Sequence, residues 1–98
     1  VVVAGFAAGA WAQTSGPKPS AEAGHAMSAR WCKGCHIIEE GQTRGMDGAP
    51  SFIDLARDAA VSRDGLRAFL NAPQHPMPPI DLSREQIDDL IAYINTLR

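Results

Sequence analysis

The stretch Cys32-Lys33-Gly34-Cys35-His36 constrains this chain more than any other, because two thiols three positions apart with a histidine directly after them leave few chemistries open. The chain has only these two cysteines, which excludes the many-cysteine framework of a disulfide-stapled secreted domain. A redox pair of thioredoxin type needs a βαβ setting, and a structural zinc site needs two more strong ligands from a second paired motif. The remaining histidines, His25 and His75, supply no such motif. Two thiols separated by two residues can instead add across the two vinyl groups on one edge of a protoporphyrin, and the next histidine then reaches the iron. C-x-x-C-H is the attachment pattern of c-type haem. It predicts one haem c, bound covalently through Cys32 and Cys35, with His36 as an iron ligand.

A second axial ligand is expected from a distant loop, and Pro76-Met77-Pro78-Pro79 presents one thioether in a proline-stiffened frame. Met77 is the preferred ligand. Met46, in a glycine-rich loop, and His75, which would give bis-histidine ligation, stay open as alternatives. Met27 reads as a core gap-filler and His25 as an ordinary helical residue.

The pattern around the motif is helical. Ser20 is placed to cap a helix that carries Glu22 in its first turn and runs into the cysteines. Residues 41–50 contain Gly41, Gly45 and Gly48 without any period and read as loop. Phe52 to Arg57 suits one or two helical turns. Ser62 opens a further helix with Val61 and Leu66 as a hydrophobic staple, Leu66, Phe69 and Leu70 are expected on its inner face, and Pro73 ends it. Ser83 and Gln86 form a capping box for the last helix, in which Ile87, Leu90, Ile91, Ile94 and Leu97 make one apolar stripe while Asp88 and Asp89 point elsewhere. With no sustained period-two alternation, the prediction is an all-α domain of three main helices and a short one, wrapped around the haem.

Residues 1–12 are apolar and uncharged and close on Ala10-Trp11-Ala12, the small-x-small pattern of a signal peptide cut after Ala12. The rival reading, a retained membrane anchor, needs about 20 apolar residues. Residues 13–19 read as a flexible leader and residues 20–98 as the single domain. A formal charge of −2 with scattered cations argues against nucleic acid as a partner.

With these residues in place, the stretch from Ser20 to Arg98 resembles the class I cytochromes c. In that family a glycine eight residues before the first haem cysteine lets the last helix cross closely, and Gly24 matches it, with Leu90 and Tyr93 as the facing residues. A proline carbonyl that holds the ligand histidine is matched by Pro50. Ser28 departs from the family, which places an aromatic there, and Met27 or Trp31 would compensate. The resemblance implies an electron carrier rather than an enzyme, exported to the periplasm, with a six-coordinate iron and a positive potential. Its partners would be redox proteins, such as a membrane complex, an oxidase, a reductase or a dehydrogenase, and no small-molecule substrate is expected. Lys33 would offer one local positive charge near the haem edge, and Arg44 is a possible partner for a haem propionate. A haem-carrying subunit of a periplasmic dehydrogenase, and an open-haem enzyme or sensor in which Met77 does not bind iron, remain as rival readings.

Overall fold

The computed structural model describes residues 18–72 and 77–98. The expected signal segment 1–12, residues 13–17 of the leader, Pro73, His75 and Pro76 lie outside the described residues. Four helices follow in order: α1 (Ala21–Trp31), α2 (Phe52–Arg57), α3 (Arg63–Asn71) and α4 (Arg84–Asn95). Among the described residues there is no strand, so the architecture is all-α with three longer helices and one short one.

Each helix starts on a serine with extended backbone whose hydroxyl accepts an N–H that the first turn leaves unpaired. Ser20 takes the Ala23 N–H at 3.0 Å, Ser51 that of Asp54 at 3.0 Å, and Ser62 that of Gly65 at 2.9 Å. At α4 the capping box is complete: Ser83 Oγ accepts from Gln86 N at 3.1 Å, and Gln86 Oε1 accepts from Ser83 N at 2.8 Å.

α4 is the spine of the core. Ile87, Leu90, Ile91, Tyr93 and Ile94 are buried along it, and Ile38, Phe52 and Ala56 close over them. Each fully buried aliphatic or aromatic side chain contributes about 1.5–3 kcal/mol relative to exposure. α3 lays Leu66 and Leu70 against this cluster. Phe69, expected on the same inner face, is instead 51% exposed. One residue is 100° around a helix, so a short helix that touches the core along Leu66 and Leu70 carries Phe69 on its flank.

α1 and α4 cross so closely that Gly24 has no space for a side chain. A Cβ there would stand 2.6 Å from the Asp89 carbonyl carbon and 2.9 Å from Tyr93 Cβ. Tyr93 therefore faces Gly24 as the resemblance implied, but the neighbouring backbone is that of Asp89, and Leu90 turns into the core. Ser28, one turn on, is fully buried and gives its hydroxyl proton to the Gly24 carbonyl at 2.7 Å. The site where the family has an aromatic is thus closed by a small hydroxyl bonded inward. Met27 packs against the core, whereas Trp31 is 45% exposed. Asp89, off the apolar stripe as expected, accepts the Ser20 N–H with its carboxylate at 2.8 Å, tying the start of α1 to α4.

Candidate functional site

α1 ends where the cysteine motif begins. The N–H groups of Cys32 and Lys33 both bond to the Ser28 carbonyl at 2.9 Å, and the chain then tightens into a turn in which Cys35 and His36 donate to the Cys32 carbonyl at 3.1 and 2.8 Å. The turn gathers both thiols and the imidazole at the C-terminus of one helix. Cys32 and Cys35 are free and half-buried. Burial pushes the Cys32 thiol up; a hydrogen bond with Ser28 opposes the rise and the neighbouring Cys35 adds to it. Cys32 therefore stays protonated at neutral pH.

His36 is held by its ring. Nδ1 lies 2.7 Å from the Pro50 carbonyl oxygen, and a carbonyl only accepts, so Nδ1 carries a proton and the neutral ring has its lone pair on Nε2. Phe52 packs beside the imidazole with ring centroids 5.4 Å apart. Pro50 is brought to this position by a loop closed at both ends, through Met46 N to Cys35 O at 2.7 Å and Phe52 N to Ile37 O at 2.8 Å.

A cleft of about 450 Å³ opens between the end of α1, α3, residues 77–82 and α4. Its size falls within the roughly 300–1,000 Å³ typical of ligand clefts. Cys32 and Met77 both line it, in a setting of Met27, Leu70, Ile80, Leu82 and Leu90. The donors suit an iron porphyrin: two thiols for its edge, a bare imidazole nitrogen, a soft thioether, and an apolar cleft for the macrocycle. Cys35 and His36 follow Cys32 in the turn without lining the cleft. Met46 is 60% exposed and does not line it, and His75 lies outside the described residues. Arg44 is exposed, away from the cleft lining, and makes no ion pair among the described residues.

Two contacts escaped the sequence reading. His25 donates from Nε2 to Glu39 at 2.9 Å and packs tilted, ring centroids 4.9 Å apart, against Tyr93, whose hydroxyl donates to the Ile38 carbonyl at 2.7 Å. Lys33 also pairs with Glu39, at 3.8 Å, so it is not a free charge. The second is Gln42, whose Oε1 accepts the Ile38 N–H at 2.9 Å and whose Nε2 reaches the carbonyls of His36 and Arg44 at 2.8 Å and of Lys33 at 3.2 Å. The one available signal was that residues 37–50 form no regular structure, so their backbone groups need side-chain partners.

Comparison with known proteins shows the family. The family model described as cytochrome c oxidase, cbb3-type, subunit III matches residues 19–94. The chain is 38% identical over 89 residues to cytochrome c-552 of Bradyrhizobium diazoefficiens, covering 89% of this chain and 86% of that relative. No solved structure gives a significant match. Family membership implies haem c, and C-x-x-C-H is present as Cys32, Cys35 and His36. The chain belongs to this family of small c-type cytochromes.

Proposed function

We propose that this chain is a periplasmic monohaem electron carrier in which Cys32 and Cys35 hold the porphyrin and His36 and Met77 are the two axial ligands. The observation that carries the reading is the pair of settings just described: a bare Nε2 on His36, enforced by the Pro50 carbonyl, and Met77 sharing an apolar cleft with Cys32. When bound, the haem iron supplies a one-electron ferric/ferrous couple. The residues around it do the rest. Pro50 fixes the imidazole tautomer, while Met77, Ile80 and Leu82 exclude water from the cleft; a thioether ligand and apolar surroundings both favour the less charged ferrous state and raise the potential. With His36 and Met77 both holding the iron, no position would remain on it for a substrate, which favours a carrier over an enzyme. The apolar residues 1–12, ending Ala10-Trp11-Ala12, support export with the signal removed after Ala12.

The test is the optical spectrum of the protein produced in a host with cytochrome c maturation. Covalent haem and the weak ferric band of sulfur-bound iron are expected in the wild type, with the band lost in Met77→Ala. Haem without that band in the wild type would turn the reading to bis-histidine ligation through His75 or to an open site.

A second reading, a haem-carrying subunit of a larger redox complex, draws on the family description, which names an oxidase subunit, and on Trp31, which lines the cleft yet is 45% exposed. Co-purification with a catalytic chain would favour it over a free carrier.

A further inference from the structure

The loop between the cysteine motif and Pro50 has few backbone bonds of its own, and among the described residues no backbone N–H reaches the His36 carbonyl. That carbonyl is met by a side chain. Gly41 turns the chain with a φ of 88°, a conformation open to glycine and costly for other residues, and Gln42 follows directly after it, half-buried. From there one amide serves the whole loop: it accepts from Ile38 N and points its two hydrogens at the carbonyls of His36, Arg44 and Lys33. Lys33 precedes the ligand histidine and Arg44 follows it, so the amide draws both flanks of the motif onto one point.

We infer that Gln42 is a positioning residue for His36: its amide fixes the carbonyl side of a backbone whose N–H is held by Cys32, the Pro50 carbonyl fixes the ring end, and these anchors together set the plane of the imidazole. This rests on the reading of His36 as an iron ligand. Without Gln42 the bonds to Pro50 and Cys32 hold the ring and the N–H but leave the His36 carbonyl, and the peptide that carries it into the loop, unanchored. Groups that hold a ligand histidine tune the metal as well as its binding, and the side chain doing so here is not adjacent to the motif or shared with the cleft wall. It acts through the His36 backbone and does not line the cleft.

Gln42→Glu separates chemistry from shape. The carboxylate has the same outline and still accepts from Ile38 N, but it donates nothing to the three carbonyls. The readout is the proton spectrum of the ferric haem-loaded chain, in which the spread and order of the haem-methyl resonances follow the orientation of the axial imidazole. Gln42→Glu is expected to rearrange those resonances while the sulfur-bound iron band persists. Thr96→Ala removes a hydroxyl bonded at 2.6 Å to the Tyr93 carbonyl, far along the chain, and serves as the control for general loosening, with the wild-type pattern retained. A second measurement needs no variant: the Gln42 side-chain amide protons of the wild type should exchange at least about tenfold slower than those of a free glutamine. Unchanged haem-methyl resonances in Gln42→Glu, or Gln42 amide protons exchanging at the free rate, overturn the inference. If Gln42→Glu accumulates without haem, the wild-type exchange rate decides alone. A low-spin six-coordinate spectrum that survives His36→Ala would instead sink the ligand reading, and the role of Gln42 with it.

Discussion

Around His36 the chain is held by directed bonds: ring to Pro50, backbone carbonyl to Gln42, and, one residue pair further on, the Ile38 carbonyl to the Tyr93 hydroxyl. Around Met77 the means are different. Among the described residues, 77–82 make no hydrogen bond, and Met77, Ile80 and Leu82 are half-buried by apolar contact with the cleft and the edge of the core. A hydrogen bond fixes direction within a narrow cone, whereas apolar burial is non-directional and fixes only proximity. In the proposed reading the His36 nitrogen would be aimed by the protein in advance, whereas the Met77 sulfur would be placed by how well its neighbours pack around the cleft.

The contrast can be broken at its foundation. Gly24→Val puts a branched side chain against the Asp89 backbone, where nothing flexible can give way, and should cost about 3 kcal/mol or more in denaturant unfolding of the haem-loaded protein. A loss under about 1 kcal/mol would show that the α1–α4 crossing is looser than described. Tyr93→Phe comes next. It leaves the Ile38 carbonyl short of its buried donor and should cost about 1–2 kcal/mol.

The same tyrosine carries a pH signature. Burial, and then the charge of Glu39, raise its phenol above the ordinary value. The folded state thus holds the proton more tightly than the unfolded chain. The resulting stabilisation is complete below the unfolded value of about 10 and is lost as pH rises through the folded one. Wild type should lose stability above about pH 10, and Tyr93→Phe should lack that component in a pH series of unfolding midpoints. Ser83→Ala, which removes one half of the α4 capping box, should cost about 1 kcal/mol. The smallest effect sharpens the other side of the comparison. Asp81→Asn, in an exposed residue that lines the cleft, should change stability by less than about 0.5 kcal/mol. A larger loss would mean that polar contacts also hold the Met77 side.

What could be read from the sequence was what is local. Ser20, Ser62 and Ser83 cap their helices because a cap depends on residues two or three positions away, and the stripe of α4 is buried because its period belongs to the helix itself. The covalent motif is local too. Gly24 and Pro50 were legible only through the family resemblance, since each acquires meaning from a partner 14 or more positions distant. The partner of Asp89 was hidden for the same reason: helical period puts it off the apolar stripe, and only the fold brings the Ser20 N–H to its carboxylate. Phe69 fails in the opposite sense, because period alone does not say how wide a strip of a nine-residue helix meets the core. Gln42 had no pattern to betray it; an amide in an irregular loop finds its partners only once the loop has closed.

The bond from Ser20 to Asp89 spans 69 positions. Among the described helices α1 packs on α4 alone, so while the cysteine motif, the loop, α2 and α3 are being made its contacts are limited to the loop, as from His25 to Glu39, and its helical partner comes last. Closing so long a loop is entropically costly, and native contacts of such separation form late. Until then the two cysteines sit in a turn at the end of a helix that no other helix yet covers, and the arrival of α4 ends that interval.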